Sequence, residues 1–135
     1  MAQNIKISVV TPEKEVVSDD AQIVMAPGSV GEFGVLSGHT PFLTSLKIGA
    51  VRYTDGKGKD QLIFVSGGFA EVLPDKVTIL AESAERKEDI DAKRAEEAKA
   101  RAEKRIAEAG DDLDMVRAQA ALARALQRLR MVSTT

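Results

Sequence analysis

The chain has 135 residues, a formal net charge of −2, no cysteine and one histidine. That length supports one ordinary domain, or a small domain with an appendage. The composition excludes disulfides, thiol catalysis, Cys-ligated metal and a His-rich metal centre, and the charge argues against wholesale nucleic-acid binding.

The opening MAQNIKISVV lacks a signal-peptide pattern. No apolar run approaches the ~20 residues a membrane helix needs. A soluble intracellular protein is expected, one that can still sit on a membrane complex.

Ile5, Ile7 and Val9 alternate with Lys6 and Ser8, the two-residue period of a half-buried strand. Thr11-Pro12-Glu13-Lys14 reads as a turn, 15–17 as a short strand and 18–20 as a second break. A strand over 21–26 follows. Residues 27–41 are punctuated by glycine around a short strand at 33–36. Strands are expected at 42–46, 48–53, 61–65, 69–73 and 77–81. Asp55-Gly56-Lys57-Gly58 makes a hairpin tip, where glycine supplies positive φ without a side-chain clash. Turns are expected at Ser66-Gly67-Gly68 and Pro74-Asp75-Lys76. Many short strands with no intervening helix predict a β-sandwich or barrel, not an α/β sheet.

Near Ala84 the two-residue period ends and a helical pattern begins. The chain therefore divides into a β domain over 1–84 and a helical hairpin over 85–135. Residues 89–109 contain no Gly or Pro and are mostly Ala, Glu, Lys and Arg, strong helix formers. Asp89 can cap the start, with Asp91 in the first turn, where the dipole favours negative charge. Gly110 is the expected stop, and Asp111 or Asp112 can cap a second helix. Asp89–Lys93, Glu97–Arg101 and Lys104–Glu108 are opposite-charge pairs at helical spacing.

The apolar line of the first helix is Ala95, Ala98, Ala102, Ile106 and Ala109. That of the second is Met115, Ala118, Leu122, Ala125, Leu129 and Val132, with Leu126 alongside. Burying alanine yields far less than the ~1.5–3 kcal/mol of a buried Leu or Ile. A hairpin with such a seam is marginal alone, and an arm held weakly can be held in more than one place. From Met115 onward there is no Asp or Glu, while Arg117, Arg124, Arg128 and Arg130 are present. A basic helix suits an acidic protein surface or a phosphate, although such charge runs often only solvate a face.

The glycines of 28–34 do not form a phosphate loop: no Gly-Lys-Ser/Thr, no GxGxxG spacing and no helix follows. His39 has no paired nucleophile, and Ser37, Ser45 and Ser66 have no visible base. No triad, carboxylate pair or metal set is present in the pattern, so chemistry alone gives no enzyme. Asp91, Arg94, Arg101, Arg124 and Arg128 could converge on a polyphosphate, but any charged Ala-rich helix offers similar pairs by chance.

Pro27-Gly28-Ser29-Val30-Gly31-Glu32-Phe33-Gly34-Val35-Leu36-Ser37-Gly38-His39-Thr40-Pro41 resembles the turn motif of epsilon subunits of bacterial F-type ATP synthases. Ser66-Gly67-Gly68-Phe69-Ala70-Glu71-Val72 and Asp75-Lys76-Val77-Thr78-Ile79-Leu80-Ala81 resemble the family's later strands. Arg117-Ala118, Ala121-Leu122-Ala123-Arg124-Ala125 and Arg128-Leu129 resemble its last helix. The likeness spans essentially the whole chain.

The resemblance implies a ten-stranded β-sandwich followed by an antiparallel helix pair. It implies a non-catalytic rotor subunit of the central stalk, on the cytoplasmic face of the bacterial plasma membrane and associated with it only through the complex. The sandwich would bind the gamma subunit and the c-ring, with Glu32 and His39 in the contact region. The helices would extend into the catalytic head and inhibit ATP hydrolysis. Arg117, Arg124, Arg128 and Arg130 would face an acidic segment of the catalytic beta subunit.

Ile90-Asp91-Ala92-Lys93-Arg94-Ala95 is similar to the family's I/L-D-x-x-R-A nucleotide motif. By that resemblance Glu85, Ile90, Asp91, Arg94, Ala95, Arg101, Arg124 and Arg128 would hold ATP as a regulatory ligand on the folded hairpin. No cofactor is required. The alternative is a free-standing nucleotide sensor that signals through its helices outside a rotary machine.

Overall fold

The computed structural model describes residues 3–134, so Met1, Ala2 and Thr135 at the ends of the two expected domains lie outside it. The chain divides between Arg86 and Lys87 into a β unit and a helical unit.

The β unit has seven strands among the described residues: β1 (Ile5–Val10), β2 (Glu15–Gly28), β3 (Gly31–Val35), β4 (Phe42–Asp55), β5 (Asp60–Leu73), β6 (Lys76–Ala81) and β7 (Ala84–Arg86). They neighbour one another in the order β1-β6-β5-β4-β2-β3, and β1 also pairs with β2. Five strands thus close on themselves, with β3 added to β2 and β7 to β5. Closure removes the long unpaired edges on which an open sheet would aggregate. The β1–β6 pair is parallel, the others antiparallel.

The expected ten strands are corrected to seven. Residues 15–17 and 21–26 join through 18–20 into β2, 42–46 joins 48–53 in β4, and 61–65 joins 69–73 in β5. The polar run Ser18-Asp19-Asp20 does not break the strand, because its partners are across the sheet. Lys6 Nζ meets Asp20 Oδ1 at 3.2 Å on β1, and the Tyr53 hydroxyl on β4 donates to Asp19 Oδ2 at 2.8 Å. Gly67 and Gly68 bend β5 without ending it, with φ of 104° and 130°. A Cβ on Gly68 would lie 1.9 Å from the Leu80 carbonyl oxygen, so β6 crosses where only glycine fits.

Inward alternation builds one core. Ile5, Ile7 and Val9 from β1 meet Val24, Val51, Tyr53, Ile63, Val65, Val72, Val77 and Ile79. All of these are almost completely buried. At the far hairpin tip the Asp55 carboxylate accepts from the backbone N–H groups of Lys57 and Lys59 at 2.9 Å each. The Lys59 bond is the main reason that its pKa lies below the usual carboxylate value.

The helical unit begins with a 3-10 turn at Lys87–Asp89, followed by α1 (Ala92–Glu108) and α2 (Asp112–Val132). Asp91, not Asp89, is the N-cap of α1: its side chain accepts from Arg94 N at 3.1 Å. Asp89 is drawn into the 3-10 turn, where Ile90 N donates to Lys87 O at 3.2 Å and Ile90 is buried. Asp111 caps α2 through Asp114 N at 2.8 Å. The first helix ends at Glu108, with an extended Ala109 as its C-cap, so Gly110 is not the stop itself.

Most of the fully buried residues of α1 and α2 are alanines, with Met131 the large side chain buried on α2. Ala95 and Ala102 are buried on α1, and Ala118 and Ala125 on α2. Ala98, Ile106, Met115, Leu122, Leu129 and Val132 are half-buried, while Leu126 faces outward at 38 % exposure. Asp89–Lys93, Glu97–Arg101 and Lys104–Glu108 do not close to ion-pair distance. Long exposed side chains gain too little from pairing to offset their lost freedom. At the other end, Lys87 Nζ donates to the Thr134 carbonyl, a cation at the negative end of α2.

Candidate functional site

The turn motif forms a braced end of the β unit. Ser29 N donates to Ser45 O at 2.9 Å, and the two hydroxyls meet at 2.7 Å, which ties the β2–β3 tip to β4. Val30 stands at that tip fully exposed. Glu32 is exposed on β3, opposite Pro27. Its neighbour Phe33 meets Phe42 edge to face at 5.2 Å, and His39 meets the same Phe42 at 5.3 Å. His39 thus joins Phe33 and Phe42 in one aromatic trio, and Glu32 precedes Phe33 on β3. The loop carrying His39 is pinned: Gly38 N donates to Pro74 O at 2.7 Å, His39 N to Leu36 O at 3.2 Å, and His39 Nδ1 lies 2.9 Å from Thr40 O.

The outward face of β4, β5 and β6 carries residues that the motifs did not point to. Register sets Leu43 beside Glu71 and Thr78, and Ser45 beside Phe69 and Leu80. Leu43, Phe69 and Leu80 are 70 %, 55 % and 52 % exposed, with Leu73 nearby on the same face. Three large apolar side chains turned to water on a stiff sheet mark an interaction surface. A signal existed in the sequence. Phe69 and Leu73 on β5 and Leu80 on β6 fall on the phase opposite to Ala70, Val72 and Ile79, so large apolar residues occupy both faces of those strands.

The expected nucleotide residues are split between the two units. Glu85 is half-buried on β7, paired in register with Phe64. In the helical unit Ile90 and Ala95 are buried, while Asp91, Arg94 and Arg101 are exposed. Arg94 and Arg101 stand seven residues apart on α1, hence on one face. Arg124 and Arg128 stand one turn apart on α2, both half-buried. Asp91 is engaged as a cap, so its carboxylate already has a backbone partner. Arg117 and Arg130 are exposed, and Arg130 Nη1 donates to Gln127 Oε1 at 3.1 Å.

Among the described residues no group of His, Asp and Glu could hold a metal ion. No helix is long and apolar enough to cross a membrane.

Two family descriptions match this chain: the "ATP synthase, Delta/Epsilon chain, beta-sandwich domain" over residues 4–87 and the "long alpha-helix domain" of the same chain over 88–133. An ATP synthase epsilon chain of Desulforapulum autotrophicum is 64% identical over 134 residues, covering 99% of each chain. One of Desulfosudis oleivorans is 72% identical over 131 residues, covering 97% of this chain and 98% of the relative. Among solved structures, a chain of the Euglena gracilis mitochondrial ATP synthase superposes with a TM-score of 0.80 at 22% identity. It covers 94% of this chain and 80% of its own length. A chain of the Tetrahymena thermophila mitochondrial ATP synthase central stalk and c-ring superposes with a TM-score of 0.60 at 16% identity, covering 98% and 96%.

Proposed function

This chain belongs to the ATP synthase delta/epsilon chain family, as a non-catalytic epsilon subunit of the bacterial F-type enzyme, and we propose on that premise that its β unit couples gamma to the c-ring while its helices restrain ATP hydrolysis. The observation that carries the coupling role is the outward apolar patch of Leu43, Phe69 and Leu80. A rotor part has to transmit torque. A closed sheet with a packed core is stiff, and a patch on its flank gives a partner surface that does not yield. Gamma covers that patch. The braced end with Val30, Glu32 and His39 meets the polar loops of the c-ring.

Phe69→Glu tests this reading. The side chain faces outward, so the isolated chain should keep its stability to within about 0.5 kcal/mol. Co-purification with gamma and c subunits should be lost, because a carboxylate buried without a partner is strongly unfavourable. Retention of both partners by the variant would remove the patch from the interface. A free-standing sensor would fail the experiment from the start, since the unmodified chain would then recover neither partner.

The helices carry the regulatory half. Their alanine seam holds them together weakly, and the acid-free stretch from Met115 offers Arg117, Arg124, Arg128 and Arg130 to an acidic segment of the beta subunit. ATP on Arg94, Arg101, Arg124 and Arg128, with Ile90, Asp91 and Ala95 from the motif at 90–95, stabilises the folded hairpin. A ligand at a hundredfold excess over Kd contributes roughly 2.7 kcal/mol, enough to reset a marginal equilibrium. The assembled subunit lies at the cytoplasmic face of the plasma membrane, held there by its partners.

A further inference from the structure

We propose that Glu71, in the middle of the outward apolar patch, receives a lysine or arginine of gamma, and that this charge pair decides which segment of gamma can lie there. The proposal rests on the reading that gamma covers the patch. Ala70 and Val72 are buried in the core, so Phe69, Glu71 and Leu73 stand together on the outer face of β5. Register puts Leu43 of β4 on one side of Glu71 and Thr78 of β6 on the other. Leu80 of β6 lies beside Phe69, diagonal to Glu71. One exposed carboxylate is thus framed by the exposed Leu43, Phe69, Leu73 and Leu80.

Nothing in the β unit answers that charge. Among the described residues the Glu71 carboxylate makes no hydrogen bond or ion pair. Thr78 can offer a hydroxyl but no charge. The cations of this face lie one row further on, where Lys76 of β6 and Lys6 of β1 are in register. Lys6 is held by Asp20 at 3.2 Å, and Lys76 is exposed beside Leu73. In the free chain water solvates Glu71, so the carboxylate is tolerated. Under a partner that water is lost. A surface that buries Leu43, Phe69 and Leu73 buries Glu71 with them, and a carboxylate left there unpaired is strongly unfavourable. Neutral donors would hydrogen-bond to it and still leave a net charge buried. A guanidinium or ammonium does both, with short charge-assisted bonds. The same physics gives selectivity: a segment laid down out of register would set an apolar side chain on the carboxylate and be rejected.

Titration of the full-length chain with purified gamma tests the pair. Glu71 is exposed and has no partner in its own chain to lose, so its variants fold as the parent does. Glu71→Leu enlarges the apolar patch and removes the charge. It should nevertheless bind gamma about thirtyfold more weakly, because the cation of gamma is then buried alone. Glu71→Lys sets two cations against each other and should lose about a further tenfold or more. Lys76→Ala should bind as the unmodified chain does. Glu71→Leu binding as tightly as the unmodified chain, or more tightly, overturns the proposal. An equal loss in Lys76→Ala does so too, since the cation would then belong to this chain. Phe69→Glu separates this failure from failure of the patch. If Phe69→Glu loses gamma and Glu71→Leu keeps it, the patch stands and the charge pair falls; if Phe69→Glu keeps gamma, both fall.

Discussion

Removing residues 87–135 should raise ATP hydrolysis by the soluble catalytic complex while the remaining β unit still assembles. The size follows from occupancy: if half of the complexes hold the arm extended at any moment, deleting it raises the rate about twofold, and more if the fraction is larger. The physical basis is the seam. Ala95 and Ala102 against Ala118 and Ala125 bury little area, so the hairpin is separated from an extended arrangement by a small free-energy gap. The cut has to fall after Arg86. A cut after Ala84 would also strip Glu85 and Arg86 from β5. The 1–84 form would then confuse loss of inhibition with damage to the sheet. Steady-state hydrolysis of complexes carrying the two truncations and the whole chain decides the matter. Equal rates for the whole chain and the 1–86 form would remove the inhibitory role.

Gly68→Ala should be among the most damaging single substitutions in this protein. Gly68 has φ of 130°, and the new Cβ would lie 1.9 Å from the Leu80 carbonyl oxygen and 2.9 Å from the Ala81 Cα. Both obstacles are backbone, so no side chain can rotate away. β5 and β6 would have to part where Gly68 pairs with Ala81, on the ring that closes the core. A loss of about 3 kcal/mol or more is expected, against ~1–2 kcal/mol for Gly38→Ala. Gly38 has φ of 83° with open space around its missing Cβ, so it isolates the conformational penalty from the collision. Urea melts of the two full-length variants measure the difference. If Gly68→Ala melts like Gly38→Ala, the strand crossing is not as tight as described.

Local pattern located most of this fold. The alternation at Ile5, Ile7 and Val9 and the tip at 55–58 are both found in the structure. What escaped depended on partners distant in sequence. Ser18-Asp19-Asp20 reads as a loop because three polar residues stand together, yet Asp19 is claimed by a tyrosine 34 positions away. Gly67-Gly68 reads as a turn because glycine usually ends strands; here it lets one long strand bend. Ala84–Arg86 carries no strand signal at all, and only the open edge beside β5 recruits it. At the site, the turn motif was legible as a motif. The aromatic trio beneath it was not, because Phe33 and Phe42 read simply as strand residues. The helix start shifted from Asp89 to Asp91 for a similar reason: both can cap, and burial of Ile90 selects the second.

If the helical unit is a loosely held arm, the distance across its hairpin has to take more than one value. The chain has no cysteine, so spin labels at Lys99→Cys on α1 and Gln119→Cys on α2 would be unique. In the assembled complex without nucleotide, two distance populations should appear, one short for the folded hairpin and one long for the extended arm. ATP should shift occupancy toward the short distance, and Arg94→Ala should abolish that response. A single short distance, unchanged by ATP and identical in complexes that do and do not hydrolyse it, would mean that the helices do not move.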